Sequence, residues 1–273
     1  MAGTKSGAVG IWKDSSIEKS IKLFSNSDQE KNATLVQYSE GKIYAVAEDA
    51  SLTQLDMNLQ VQKVLGQKLE EQIYALVATP DYVALGGENK EVKVHDNKGD
   101  LALVSYILLI LSLFQEYNHR GCVNSITINE HNIASASGDC SCQVWNIRQK
   151  KHLYTVKHDH HVEQVKLFPA GSIFDMISCS WDESVKVWKQ EKLVQTLQHS
   201  DRCRRFDLNS EGTLLAVGYG SGSNGGVTIW STTEWKKLAD LKIGSTMDVR
   251  FNSASNKILA AGLSGKVSII DLE

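Results

Sequence analysis

The sequence predicts an all-β chain assembled from a repeated unit of four short strands, and three observations carry that reading. A short motif (apolar, any, apolar, bulky) recurs seven times, with its bulky anchor at 12, 55, 95, 145, 188, 230 and 270. The steps between anchors are 43, 40, 50, 43, 42 and 40 residues, and five of the six fall in the range of a four-stranded repeat. A second motif (apolar, two any, apolar, any, apolar) precedes six of the anchors, and no window carries a helical period over helix length.

Taken in order, the first unit has Val9, Ile11 and Trp12, preceded only by Ala2-Gly3-Thr4, which reads as a second strand. The second pairs Ala33, Val36 and Tyr38 with Leu52, Gln54 and Leu55, and the third pairs Ile73, Leu76 and Ala78 with Val92, Val94 and His95. In the fourth, Val123, Ile126 and Ile128 lead to Cys142, Val144 and Trp145; in the fifth, Val162, Val165 and Leu167 lead to Val185, Val187 and Trp188. The sixth joins Cys203, Phe206 and Leu208 to Val227, Ile229 and Trp230, and the seventh joins Thr246, Val249 and Phe251 to Val267, Ile269 and Ile270. Between the two motifs lies a run ending in small residues, such as Ile133-Ala134-Ser135-Ala136-Ser137. The Gly, Asn, Asp and Ser clusters between runs are turns.

At these residues the chain resembles the WD-repeat β-propeller family, from about Met1 to the end. The resemblance implies a buried hydrogen-bond chain in each blade: a His before the first strand, a Ser or Thr on the second, an Asp in the next turn and a Trp on the third. His119, Ser135, Asp139 and Trp145 match all four places, as do His158, Ser178, Asp182 and Trp188. A buried imidazole and a buried indole N–H need partners, which the carboxylate and hydroxyl supply. Elsewhere the turn position reads Asp49, Asn89, Asn224 and Ser264, so those blades are expected to lack the full chain and to rely on packing. A single propeller over 1–273 with seven blades is implied, the first incomplete. Because open edges are a liability that closure removes, about 25 to 30 further residues are expected upstream.

The 50-residue step holds the run Leu101 to Phe114, which does not alternate as an outer strand should. Val104-Ser105 can be encoded by a splice-donor consensus and Phe114-Gln115 by an acceptor. Residues 104–115 therefore read either as a retained intron or as a hydrophobic loop that docks on a partner or a membrane. The run is shorter than a bilayer-spanning helix, and no membrane partner is expected.

With a formal charge of −3, the chain shows no duplex-binding footprint, and no nucleic-acid partner is expected. Five cysteines in irregular spacing argue against a disulfide framework and for a reducing, cytoplasmic compartment, the nucleus not excluded. Met1 to Gly10 carry no secretory pattern.

Candidate chemistry was weighed residue by residue. Gly220-Ser221-Gly222-Ser223-Asn224-Gly225 fits a dinucleotide fingerprint, but a strand follows where the fingerprint needs a helix, so a hairpin turn is expected. The run His158-Asp159-His160-His161 lacks ligands at zinc spacing and reads as a surface loop. Cys140 and Cys142 read as reduced, largely buried thiols sharing one face of a strand. No cofactor, metal site or catalytic group is expected.

The resemblance implies a non-catalytic scaffold, a subunit of a larger complex that binds proteins or peptides on one face of the ring. That face would present Glu48, Glu88, Trp181, His161 and Arg202. Trp181 is either a binding hot spot or packed against the neighbouring loop. Arg202, Arg204 and Arg205 either read phosphorylated peptides, as in some related propellers, or pair with acids such as Asp201 and Asp207. Trp145-Asn146-Ile147-Arg148 resembles the Trp-Asp-any-Arg motif of ubiquitin-ligase substrate receptors, with Asn in place of Asp, and gives the alternative function.

Overall fold

The computed structural model describes residues 2–3, 8–13, 16–22, 33–47, 52–65, 72–96, 101–104, 119–169 and 171–272. Among them every regular element is a strand, and no helix is long and apolar enough to cross a membrane. The strands form seven antiparallel sheets in chain order. The first contains β1 (Ala2–Gly3), β2 (Ala8–Lys13) and β3 (Ser16–Lys22). Four strands make the second: β4 (Ala33–Ser39), β5 (Lys42–Ala47), β6 (Leu52–Asp56) and β7 (Val61–Leu65). The third has β8 (Ile73–Ala78), β9 (Tyr82–Gly87), β10 (Val92–Asp96) and β11 (Leu101–Val104), and the fourth β12 (Val123–Asn129), β13 (Asn132–Ser137), β14 (Ser141–Asn146) and β15 (Lys151–Lys157). The fifth comprises β16 (Val162–Leu167), β17 (Met176–Ser180), β18 (Ser184–Lys189) and β19 (Lys192–Gln198). In the sixth are β20 (Cys203–Leu208), β21 (Leu214–Gly220), β22 (Gly225–Ser231) and β23 (Lys237–Leu241), and the last has β24 (Thr246–Phe251), β25 (Lys257–Gly262) and β26 (Val267–Asp271).

The first-strand motif is explained by a bulge, which inserts one extra residue into a period-2 strand. In the first strand of each of six sheets the register shifts after the opening apolar residue, as between Val162 and Gln164 or Cys203 and Arg205. The extra residue turns an expected spacing of two into three, so Val162, Val165 and Leu167 point the same way. A second bulge falls at the anchor, between Val187 and Trp188 and between Ile229 and Trp230. Its extra residue lies in the fourth strand, Val194 or Leu238, so the third strand keeps its alternation and Val187 and Trp188 point to opposite sides, both of them buried.

The chain divides into two compact units, one of Met1–Ser137 with Gln143–Leu153 and the other of Gly138–Cys142 with Tyr154–Glu273. In the second unit the fifth and sixth sheets bury a shared core of Ile177, Val187, Leu197, Phe206, Leu215 and Trp230 among others. Gln164 ties these two sheets together like a strand edge: its amide oxygen accepts from the Phe206 N–H at 2.7 Å and its amide nitrogen donates to the Phe206 carbonyl at 3.2 Å. Residues 105–118 lie outside the described set, and so does most of the apolar run. Its opening residues form β11, paired with β10.

Candidate protein-interaction surface

The turn between the second and third strands sets the geometry of this surface. In the fifth sheet Asp182 Oδ1 accepts the Ser184 N–H at 3.1 Å and the Ser184 hydroxyl at 2.6 Å, while Glu183 takes a left-handed φ of 64°. Asp139 does the same for Ser141, with Cys140 at φ 69°, and Asn89 for Glu91, with Lys90 at φ 66°. An Asx side chain at this position is thus a local turn device. In the fifth sheet it reaches further. Asp182 Oδ2 lies 2.7 Å from His158 Nδ1, His158 Nε2 lies 2.8 Å from Ser178 Oγ, and the Trp188 indole donates to the same hydroxyl at 2.8 Å. Burial lowers the pKa of His158 and keeps the ring neutral. Burial alone would raise Asp182, but the hydrogen bonds from His158, Ser184 and the Asp159 N–H hold it well below the usual carboxylate range.

In the fourth sheet His119 Nε2 lies 2.7 Å from Ser135 Oγ, and the Trp145 ring packs edge-on against His152 with centroids 4.9 Å apart. The sixth sheet differs from the packing-only expectation. His199 Nε2 lies 2.8 Å from Thr228 Oγ1, and the Trp230 indole donates to that hydroxyl at 2.9 Å. The second-strand place that holds Ser178 in the fifth sheet is Val217 here, so the hydroxyl comes from the third strand instead. The spacing from His199 to Trp230 resembles that from His158 to Trp188. Demanding a second-strand Ser or Thr hid it.

Directly beside this scaffold, the turn residue Trp181 gathers four side chains. His161 stacks on its ring at 5.1 Å with planes 29° apart, and His160 lies at 5.7 Å. The Arg202 guanidinium sits over the ring at 4.6 Å and that of Arg204 at 5.4 Å, with Arg204 Nε also donating to the Gly220 carbonyl at 3.1 Å. Trp181 is therefore half-buried beneath its neighbours, and its indole N–H is buried with no acceptor.

The family described as WD domain, G-beta repeat matches residues 111–146 and 150–189. These two stretches are WD repeats. Over 126 residues the chain is 29% identical to Cross-pathway control WD-repeat protein 2 of Flammulina velutipes, a match covering 44% of this chain and 39% of that protein. Over 169 residues it is 28% identical to the U3 small nucleolar RNA-associated protein 15 homolog of Gallus gallus, covering 60% of this chain and 30% of that protein. The chain thus spans well under half the length of either relative in its matched region.

Arg205 turns away from Trp181 to Glu163, with an ion pair at 3.3 Å and a bond to the Glu163 carbonyl at 2.8 Å. The expected acidic partners are engaged elsewhere: Asp207 pairs with Lys166 at 3.6 Å, and Asp201 accepts from the Arg202 N–H and from Ser221. Glu88 is exposed in the β9–β10 turn of the first unit, and Glu48 lies outside the described residues. Gly220 and Gly225 face each other across the β21–β22 hairpin. Cys140 is half-exposed in the turn before β14 rather than on the strand, while Cys142 is fully buried and burial pushes its thiol pKa up. Asn146, in the ligase-like motif, is used locally: its amide bonds Asn132 at 3.0 Å and caps the Gln149 N–H at 2.9 Å.

Proposed function

We propose that this chain is a non-catalytic WD-repeat scaffold, one propeller over 1–273, that holds a protein or peptide partner on the turn surface of its fifth and sixth sheets. The observation that supports this most is the Trp181 cluster. Two guanidinium groups and two imidazoles are gathered on one aromatic ring, on turns raised from a rigid hydrogen-bonded sheet, where a surface with no partner has no use for them. Trp181 and Arg202 are the centre of the surface, with His161 and Arg204 beside them; Arg205 supports from behind through Glu163. The test is the double variant Trp181→Ala with Arg202→Glu, checked for folding by its melting curve. Its affinity for the principal partner should fall by about 2 kcal/mol or more, the scale of a binding hot spot. Unchanged affinity in the folded variant would remove this surface from the function.

A second reading comes from the chicken relative, whose name associates it with U3 small nucleolar RNA. Carried over, it makes this chain a protein-binding subunit of a nucleolar ribonucleoprotein assembly and shifts the expected location from cytoplasm to nucleolus. Fluorescence imaging of the tagged chain decides between them. The ligase alternative rests on the Trp145-Asn146-Ile147-Arg148 motif alone, in which Asn146 also bonds Asn132 and the Gln149 N–H.

A further inference from the structure

We infer that Asn224, at the tip of the β21–β22 hairpin, is a site of spontaneous chemical modification, where the backbone nitrogen of Gly225 displaces the side-chain amide and leaves aspartate or isoaspartate in its place. An asparagine is most labile where glycine follows, because no Cβ blocks the approach of the glycine nitrogen to the side-chain carbonyl carbon. Residues 224 and 225 form the single Asn-Gly step of the sequence. Asn-Ser steps come next in lability, and the two in the second unit are locked. Asn209 Oδ1 accepts the Thr213 and Leu214 N–H groups at 2.8 and 2.9 Å, and its amide nitrogen donates to the Thr213 hydroxyl at 3.0 Å. The Ser210 N–H that would attack it is held by Ser255 at 2.9 Å. Asn252 Oδ1 likewise accepts the Asn256 and Lys257 N–H groups at 3.0 and 2.9 Å. Asn224, by contrast, is exposed, and its amide has no hydrogen-bond partner among the described residues.

The attacking nitrogen is open as well. Gly225 pairs with Gly220 across the hairpin, but Gly220 turns its N–H to the Arg202 carbonyl at 3.0 Å and its carbonyl to Arg204 Nε at 3.1 Å, so the two glycines exchange no ladder bond. The Gly225 carbonyl points away from β21 and accepts the Gly244 N–H at 3.2 Å. Asn224 and Gly225 line a cavity of about 320 Å³ together with Ser223, Asp201 and Lys242, which admits water. In the first step Gly225 N bonds to Asn224 Cγ and gives up its proton, and Nδ2 takes that proton and leaves as ammonia, closing a five-membered imide. Water then adds to either imide carbonyl and opens the ring, giving aspartate or, with the backbone routed through the side chain, isoaspartate. The Lys242 ammonium in the same cavity offsets the charge of the new carboxylate. Packing keeps the glycine in place, since a Cβ on Gly225 would lie 2.8 Å from the Ser245 Cα. An isoaspartate lengthens the backbone beside the Gly220 carbonyl that holds Arg204.

The experiment is peptide mapping by mass spectrometry of the full chain aged in mildly alkaline buffer, both folded and in urea. In the folded chain the peptide with Asn224 should gain the mass of an amide-to-acid exchange at least about tenfold faster than those with Asn209 and Asn252. In urea the latter two should speed up as their amides are released, whereas Asn224 should keep its rate within about fivefold. Isoaspartate methyltransferase should label the aged folded chain and lose that labelling in the aged Asn224→Gln variant. A smaller lead for Asn224 in the folded chain, a larger acceleration of Asn224 by urea, or labelling undiminished in Asn224→Gln overturns the inference.

Discussion

At Asp182 one carboxylate oxygen closes the local turn on Ser184 while the other reaches His158 and the Asp159 N–H, with Lys186 at 3.6 Å. The equivalent Asn89 performs only the turn, and Ser264 is exposed in the last sheet with Gly265 supplying the positive φ of 79°. These positions look alike in sequence and differ in how many buried groups depend on them. Asp182→Ala leaves His158 without its acceptor and should cost about 1 to 3 kcal/mol, whereas Ser264→Ala should stay within about 0.5 kcal/mol. Paired thermal melts check this, and equal losses at the two positions would show that the carboxylate serves its turn alone. Trp181 carries the same lesson at the surface. Read as a sequence it is either a hot spot or a packed ring, and in the fold it is half-buried with Arg202 and His161 against its ring.

The hairpin β21–β22 shows what an element requires of its residues. Its glycines resemble a phosphate-binding loop, but they are there because two backbones approach closely. A Cβ on Gly226 would lie 1.9 Å from the Leu241 carbonyl oxygen, and one on Gly225 would lie 2.6 Å from that of Tyr219. A Cβ on Gly222, at the hairpin tip, meets nothing within 4 Å. Gly226→Ala should therefore destabilise by more than about 2 kcal/mol through forced backbone movement, and Gly222→Ala should be nearly neutral. Denaturant unfolding of the two variants separates a packing role from a ligand role; a Gly222→Ala change as damaging as Gly226→Ala would contradict the packing account.

Across the whole molecule, the stretches that match the family cover β12 to β14 and β15 to β18, the region where all four places of the hydrogen-bond chain are filled. Of the other sheets, the second, third and sixth keep the first-strand bulge and a buried anchor, Leu55, His95 and Trp230, while their polar residues drift. Two buried neutral histidines make acid stability a property of the folded chain. Burial lowers His158 and pushes His199 down to about 4 from an ordinary 6.5. Between those two values the unfolded chain binds more protons than the folded one, so stability is full above pH 6.5 and is lost as pH falls toward 4. For His199 the slope approaches about 1.4 kcal/mol per pH unit within that window. Asp182, held low, adds a further loss below its ordinary 3.8. Melting temperatures should fall steadily from pH 7.5 to 4.5, with a shallower fall in His199→Gln; a flat profile would mean these rings titrate freely.

The sequence by itself determined the repeat and the seven third-strand anchors, because burial of a strand imposes a period and a first-strand bulge shifts that period by one residue at a fixed place. It also marked His158, Ser178, Asp182 and Trp188, since their spacing follows from strand and turn lengths. Only the tertiary structure decided which group each arginine meets. Arg202, Arg204 and Arg205 are near neighbours in sequence with acids on both sides, and nothing local distinguishes them. Arg205 finds Glu163 on β16, and the other two find Trp181 on the β17–β18 turn. Both partners come from the neighbouring sheet, and so does the Gln164 that bonds Phe206. Contacts of this kind depend on how one sheet packs on the next, a relation between distant residues that no local period records.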